Sequence, residues 1–213
     1  MSGLRRGRRK YYNLFSSFYD DFVRLHARKD EDDTRHFLVG AARLERRTNK
    51  SILDICCGTG SVILAFAERH HDAVLVGYDF SRGMLRKARE KDIAGRALFV
   101  EGDAAELPFS SESFDRVTCS HALYELKGQT RQRAFWEMRR VLHPEGEVLL
   151  MEHEVPRRPV VRLLFYLRLF SMGFRDAREF LLSDGAERLK RIFSRVEVSH
   201  SPSGKSRLMI CRK

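Results

Sequence analysis

The sequence predicts an α/β fold with a mostly parallel sheet and helices on both faces. Short apolar segments typical of buried strands alternate with amphipathic helical patterns, as in parallel strands joined by right-handed crossovers. The first apolar segment, 52–55, runs into a turn that contains Gly58 and Gly60 and then into a helical pattern. A strand, a glycine-rich turn and a helix are the first unit of nucleotide-binding α/β folds.

The turn after the first strand has the pattern DxxxGxG, formed by Asp54, Gly58 and Gly60. Glycine permits a positive φ and lets a ligand approach the backbone closely. The free N–H groups at the start of the next helix suit a polar or anionic ligand. Because the pattern is not the GxGxxG of dinucleotide enzymes, it does not predict their pyrophosphate contact.

The remaining elements continue the same alternation to the end of the chain. A helix from Asp33 to Arg47 is predicted before the first strand, with Asp33 near its cap, and Ser81 is expected to cap a later helix. Residues 143–146 are expected to separate a helix from the fifth strand. The other expected strands are 73–78, 97–100, 114–119 and 147–151, the other helices are 130–142 and 185–193, and the terminal hairpin is formed by 195–201 and 207–212.

Composition predicts one soluble domain with a strong positive charge. The chain has 213 residues and a formal net charge of +11, and residues 1–10 form a basic arm. A net positive charge of this size attracts the phosphates of nucleic acid or of anionic lipid. The basic arm is equally consistent with a disordered solubilising tail. The four cysteines include no CxxC pair, which argues against a zinc site and favours a reduced cytoplasmic compartment. No apolar run reaches the roughly 18 residues of a membrane span.

Polar residues follow the predicted strands at four points: Asp54, Asp79, Asp103 and the pair Ser120–His121. The carboxyl ends of parallel strands share one edge of the sheet, where ligands bind. Asp79 follows Asp54 by 25 positions, close to the ~20-residue spacing of a ribose-binding carboxylate; the alternative is a helix-capping role. Asp103 is suited to accept a hydrogen bond from an adenine amino group, or belongs to a plain turn. These positions predict a nucleoside ligand.

Four motif-like segments occur along the chain in the order LDICCGTG (53–60), VGYDFSRGML (76–85), EGDAAELPF (101–109) and EMRRVLHPEGEVLL (137–150). In this order they resemble the class I S-adenosylmethionine-dependent methyltransferases, and the similarity covers most of residues 11–152. The resemblance implies a Rossmann-like fold with a seven-stranded, mostly parallel sheet and a terminal antiparallel hairpin. The nearest similarity is to the ubiquinone/menaquinone biosynthesis C-methyltransferase branch, because of the cysteine doublet and the aromatic segment YNLFSSFYD at 12–20.

The resemblance implies S-adenosylmethionine as cofactor, with no metal. It implies Asp54 near the methionine amino group and Asp79 on the ribose, and it places Tyr19 near the sulfonium, where an aromatic face stabilises a cation. Phe80 and Met84 are expected to flank the adenine. The full expected cofactor set is Asp54, Cys56, Gly58, Thr59, Gly60, Asp79, Phe80, Met84, Asp103, Ala104 and Ser120.

Methyl transfer requires the acceptor atom in line with the S–CH3 bond, and much of the acceleration comes from this positioning. A carbon, phenol or protonated nitrogen acceptor also loses a proton, so a general base helps. His121 is the first candidate because of its titration range, with Tyr19 and Tyr124 completing the expected catalytic set. The alternative for His121 is a packing role. Other candidates at the ends of the fourth and fifth strands are Glu125, Glu152 and His153.

The acceptor side departs from the quinone branch. The segment CSHALYE at 119–125 stands where those enzymes carry an Arg-Asn pair, and the insertion after the fifth strand is short. An N-terminal helical lid at 11–47 and an insertion at 156–182 are expected to cover the acceptor within a single domain, 11–213. The basic and apolar insertion suits a membrane surface or an ordinary lid.

The sequence thus predicts a methyltransferase acting on a small, lipophilic or aromatic acceptor, with peripheral membrane contact. Two alternatives stay open. In the first, the acceptor is RNA or another macromolecule bound to the basic surface. In the second, the protein binds S-adenosylmethionine without catalysis.

Overall fold

A computed structural model describes residues 30–44, 50–155, 159–171 and 185–213. The basic arm 1–10, Tyr19 and the aromatic part of the lid, and parts of the 156–182 insertion lie outside these ranges. The helices are α1 (Asp30–Ala41), α2 (Ser61–Arg69), α3 (Arg82–Lys91), α4 (Gly128–Val141), α5 (Pro159–Ser171) and α6 (Gly185–Leu189). The strands are β1 (Ser51–Ile55), β2 (Val74–Asp79), β3 (Ala97–Glu101), β4 (Phe114–Ser120), β5 (Leu142–His153), β6 (Arg195–His200) and β7 (Ser206–Arg212).

The seven strands form one sheet in the order β3-β2-β1-β4-β5-β7-β6. Strands β1 to β5 are parallel, and β7 lies antiparallel between β5 and β6. The chain builds outward from β1 to β3 and then returns to place β4 on the other side of β1. Ligands of open α/β sheets bind at this reversal of strand order. The predicted parallel sheet with its terminal hairpin is confirmed.

Apolar side chains cover both faces of the sheet, which is why its central strands are apolar at almost every position. On one face, Leu53 and Ile55 of β1 pack with the buried residues of α4. On the other face, Ile52 packs with α1, α2 and α3. β1 is therefore buried from both sides, and its carboxyl end holds the glycine turn in a fixed position.

The predicted bounds of α1 are wrong at both ends. The helix begins at Asp30 instead of Asp33, because acidic residues are favourable throughout a first helical turn and need not mark its cap. It ends at Ala41 instead of continuing to Arg47. Arg43 takes a φ of 49°, a left-handed conformation that no α-helix accommodates.

Residues 143–146 are part of a strand and not the predicted connection. β5 starts at Leu142, directly after α4, and Leu142 pairs with Phe114 ahead of a register shift in the β4–β5 ladder. Gly146 permits this early pairing, since a Cβ there would lie 2.9 Å from the carbonyl oxygen of Asp115. The predicted helix 185–193 is also too long, and α6 ends at Leu189.

No helix among the described residues is long and apolar enough to cross a membrane.

Candidate functional site

The turn after β1 is held in a conformation that leaves space beside it. Cys56, Gly58 and Gly60 have φ values of 57°, 55° and 80°, in the left-handed region that glycine adopts without strain. At Gly60 a Cβ would lie 3.0 Å from the Cβ of Ala88, whereas at Gly58 a Cβ would meet nothing within 4 Å. Gly60 is thus required for packing on α3, and the backbone at Gly58 borders open space suited to a ligand.

Asp79 ties the end of β2 to this turn. Its Oδ2 accepts a hydrogen bond from the Gly58 N–H at 2.9 Å, and its Oδ1 accepts one from the Ser81 N–H at 2.8 Å. Ser81 is the N-cap of α3, because its Oγ accepts from the Met84 N–H at 3.3 Å. The cap predicted at Ser81 is present, and Asp79 supports the entry to the helix by accepting from the Ser81 N–H.

Burial raises the pKa of Asp79 to about 6, against the hydrogen bonds from the backbone N–H groups of Ser81, Gly58 and Phe80, which lower it. Each carboxylate oxygen has two lone pairs, so Asp79 retains acceptor capacity after these contacts. The predicted ribose-binding role is consistent with this geometry and stays a prediction.

Asp54 is a second buried carboxyl at the same edge. Its Oδ1 accepts a hydrogen bond from the Thr118 hydroxyl at 2.7 Å, since Asp54 and Thr118 are partners in the β1–β4 register. Burial raises the pKa of Asp54 to about 7; the Thr118 hydrogen bond lowers it and the charge of Asp79 raises it. The sequence interpretation missed Thr118, although a polar residue between the apolar residues Val117 and Cys119 was a usable signal.

Two buried carboxyls with raised pKa values at one sheet edge are typical of a site that binds cations or hydroxyl groups. Neither Asp54 nor Asp79 forms an ion pair with any residue that the structure describes. A positively charged ligand would therefore find two acids without a competing protein cation. An amino group and a ribose match this requirement.

The predicted adenine-side residues follow β2 and β3. Met84 and Ala104 are buried, and Phe80 and Asp103 are partly exposed. The Tyr78 hydroxyl donates to the carbonyl oxygen of Asp103 at 3.3 Å, which fixes the segment after β3 against β2. These residues lie at neighbouring strand ends, as the motif order predicted, and their contact with adenine stays a prediction.

Three other predicted cofactor residues already have protein contacts. The Thr59 Oγ1 accepts from Lys91 Nζ at 2.8 Å, and the Ser120 Oγ lies 3.1 Å from His121 Nδ1. A thiol–thiol hydrogen bond with Cys56 contributes to the raised pKa of Cys119. Backbone atoms of the turn are therefore better placed than these side chains to contact a cofactor.

His121 is held through its ring by residues of β5 and β7. The imidazole stacks on His153 with a centroid distance of 4.1 Å and an interplanar angle of 23°. Its Nε2 lies 3.0 Å from the Ser206 Oγ, and its Nδ1 contacts the Ser120 hydroxyl. Both ring nitrogens thus have a hydroxyl neighbour, and the residue has a φ of 51°. The packing role is realised, while a role as base stays a prediction.

Tyr124 and Glu152 lie next to this histidine pair. The Tyr124 ring centroid is 6.2 Å from that of His153. Glu152 is fully buried, and its Oε1 accepts from the Leu123 N–H at 2.8 Å. Across the β5–β7 ladder it is paired with Arg207. The structure therefore brings His121 and Tyr124 together, whereas Tyr19 lies outside the described residues.

Glu152 is the most perturbed carboxyl of this region. Burial raises its pKa to about 8, against the Leu123 and Ala122 N–H groups and the charges of Arg207 and Arg131, which lower it. Its Oε2 has no hydrogen-bond partner within the described part of the chain. Sequence reasoning included Glu152 only among its secondary candidates, because its opposition to Arg207 depends on the position of β7.

No group of three metal-ligating side chains occurs among the described residues.

Comparison with known proteins places the chain among methyltransferases. The family model described as a methyltransferase domain matches residues 52–146. The demethylmenaquinone methyltransferase of Lactococcus lactis is 33% identical over 183 residues, which cover 84% of this chain and 69% of that protein. The protein of the same name from Roseiflexus castenholzii is 40% identical over 110 residues, covering 52% of this chain and 45% of its own length. This second match spans about half of the relative.

Solved structures share the fold at low sequence identity. The PH0226 protein of Pyrococcus horikoshii superposes with a TM-score of 0.65 and 23% identity, covering 92% of this chain and 98% of that one. The YcgJ protein of Bacillus subtilis gives a TM-score of 0.53 and 21% identity, covering 84% and 98%. At these identities the likeness supports the fold alone.

Proposed function

Because the chain belongs to the class I S-adenosylmethionine-dependent methyltransferases, in their ubiquinone/menaquinone biosynthesis-like branch, we propose that it methylates a ring carbon of a demethylmenaquinol-like acceptor. The observation that carries this proposal is the extent of the Lactococcus lactis match. It covers 84% of this chain, whereas the family model covers only residues 52–146. The similarity therefore includes segments beyond the cofactor-binding motifs.

The enzyme uses S-adenosylmethionine, which when bound supplies an electrophilic methyl group on a sulfonium sulfur. In our proposal Asp79 accepts a hydrogen bond from a ribose hydroxyl with the acceptor capacity that its backbone contacts leave free. Asp54 faces the amino group, whose positive charge lowers the carboxyl pKa and keeps it ionised. The open space at Gly58 supports this fit, since nothing lies within 4 Å of a Cβ built there.

The acceptor side has to orient a ring carbon and remove its proton. A quinol, unlike a quinone, carries hydroxyl groups that make the adjacent ring carbon nucleophilic. His121 stays our first candidate for the base. Each of its nitrogens faces a serine hydroxyl that can donate or accept a hydrogen bond, so either tautomer leaves one nitrogen able to take a proton. Tyr124 borders the same region.

The test is methyl transfer from labelled S-adenosylmethionine to demethylmenaquinol with a short isoprenoid chain. The same quinone kept oxidised and total RNA serve as parallel acceptors. We expect label in the reduced quinol only. Label in RNA alone would instead favour the alternative that the +11 charge supports. Cofactor binding without transfer to any acceptor in the screen would favour the non-catalytic alternative.

A further inference from the structure

Helix α5 carries an apolar stripe that faces solvent. Val160, Leu163, Leu164 and Leu167 are 70%, 60%, 60% and 57% exposed. Their spacing of i, i+3, i+4 and i+7 places them on one face of the helix. A contiguous exposed apolar face of this kind marks an interaction site on a soluble protein.

Helix α4 provides the contrast within the same molecule. Its apolar residues Ala134, Phe135, Met138 and Val141 are at most 4% exposed, because they pack against the sheet. The apolar stripe on α5 differs from this buried face, since among the described residues its four side chains are more than half exposed.

Contact at Tyr166 links α5 to the body of the protein. This residue, outside the stripe, is partly buried and packs on the core cluster that includes Leu123 and Tyr124. The helix begins six residues after β5 ends at His153. α5 therefore follows the sheet edge where the acceptor is expected, and a surface bound by its stripe would lie near that edge.

The sequence segment that contains the stripe is basic. Residues 155–175 include Arg157, Arg158, Arg162, Arg168 and Arg175 but no Asp or Glu, and Arg162 is exposed. An apolar stripe within a purely basic segment fits a surface that offers acyl chains and negative headgroups together. RNA offers only the charge, and a second copy of this chain would bring the same positive charges into contact.

We propose that α5 docks the enzyme on an anionic bilayer by inserting the Val160–Leu167 stripe between lipid acyl chains. The proposal rests on the proposed function in one respect, because docking is useful only if the acceptor is lipophilic. A quinol with an isoprenoid tail partitions into the bilayer, so docking brings the acceptor edge to the substrate. Arg162 reaches the headgroups while its aliphatic stem stays near the apolar region.

The experiment is co-sedimentation with vesicles of phosphatidylcholine alone or mixed equally with phosphatidylglycerol. The stripe variant is the double substitution Leu163→Gln/Leu167→Gln. The matched control is Ile93→Gln/Val198→Gln, which changes two residues that are 96% and 48% exposed elsewhere. We expect the wild type and the control to prefer anionic vesicles, more weakly at high salt. The stripe variant should bind at least ~10-fold less well.

Turnover of a short-chain, water-soluble naphthoquinol separates docking from catalysis. We expect the stripe variant and the wild type to methylate it equally and to unfold at the same temperature. Undiminished vesicle binding by the variant would overturn the proposal. So would a loss of soluble turnover or of thermal stability, which would mean that the stripe packs within the protein. Light scattering that shows a dimer broken by the substitutions would assign the stripe to a second copy.

Failure of the docking proposal is distinguishable from failure of the proposed function. If the wild type binds anionic vesicles through the stripe but methylates no quinol, docking stands and the acceptor assignment is wrong. If quinols are methylated and neither vesicle type is bound, the acceptor assignment stands and docking is wrong.

Discussion

The carboxyl ends of β1 and β2 form the cofactor half of the sheet edge, and the carboxyl ends of β4 and β5 form its acceptor half. The buried acids of the two halves have different hydrogen-bond partners. At the ends of β1 and β2, Asp79 accepts hydrogen bonds from the backbone N–H groups of Gly58, Phe80 and Ser81, and Asp54 accepts one from the Thr118 hydroxyl. At the ends of β4 and β5, one oxygen of Glu152 accepts the Leu123 N–H and the other has no partner among the described residues. In the first half, the tie between Asp79 and the glycine turn spans only 21 positions, while Asp54 reaches Thr118 across 64. In the second half, every element of the cluster comes from β4, β5, β7 or the segment that follows β4.

This difference suggests that the two halves of the sheet edge have separate roles. A cofactor common to many enzymes is bound by a turn whose geometry is set within about 25 residues of sequence. In our proposal the acceptor, which differs between enzymes, contacts side chains from β4, β5 and β7. Substitutions in the two halves should therefore affect different quantities: cofactor affinity in the first, and local order with acceptor turnover in the second.

The largest effect is expected at Glu152 in the acceptor half. Glu152→Ala leaves the buried N–H groups of Ala122 and Leu123 without their acceptor, which should lower the free energy of unfolding by about 2–4 kcal/mol. Glu152→Gln keeps an acceptor oxygen and should cost less than about 1 kcal/mol. Denaturant unfolding measures both. Equal losses of unfolding free energy in the two variants would mean that the Glu152 carboxyl does not stabilise the protein by accepting these N–H groups.

The next largest effect is expected in the cofactor half. Asp79→Ala removes the acceptor proposed for the ribose and the tie to Gly58, and it should weaken S-adenosylmethionine binding by about 1.5–3 kcal/mol. Titration calorimetry measures the change. Asp72→Ala, an exposed acid before β2, is the matched control and should bind normally. Unchanged affinity in Asp79→Ala would remove the ribose assignment.

The pH dependence should separate the halves further. The folded-state pKa values of Asp54, Asp79 and Glu152 are raised to about 7, 6 and 8. For each acid the folded protein holds an extra proton between its unfolded pKa, near 4, and the raised value. The stability contributed by these neutral forms is complete below the unfolded pKa. It is lost as pH rises through the folded pKa.

We therefore expect the free protein to lose stability between pH 5 and 8.5, and Glu152→Gln to lose less, as thermal unfolding can measure. Affinity for S-adenosylmethionine should move in the opposite sense, because Asp54 and Asp79 bind a cation and hydroxyls best when ionised. It should rise as pH increases through about 6 to 7. Affinity that falls over this interval would contradict the proposed contacts of both acids.

The same division explains what could be predicted from the sequence. The glycine turn and the Ser81 cap were predictable because each depends on neighbours within a few positions, and Asp79 was identified by its distance of 25 positions from Asp54. The opposition of Glu152 to Arg207 was not, since it requires β7 to insert antiparallel beside β5 and takes its register from pairing 55 residues away. The early start of β5 was missed for a similar reason. Helix-ending residues dominate 143–146 locally, but pairing of Leu142 with Phe114 overrides them.

The smallest expected effect tests whether the cofactor half depends on contacts between strands as well. Thr118→Val preserves the shape of β4 but removes the hydroxyl that donates to Asp54, at a cost of about 0.5–1.5 kcal/mol in the free energy of unfolding. Because that hydrogen bond lowers the pKa of Asp54, its loss should raise the pKa further and move the pH dependence of cofactor binding to higher pH. Calorimetry at several pH values detects this shift, with Ser199→Ala, which removes an exposed hydroxyl of β6, as the control. An unshifted profile would mean that Asp54 does not control cofactor affinity, and the cofactor half would then rest on Asp79 and the glycine turn alone.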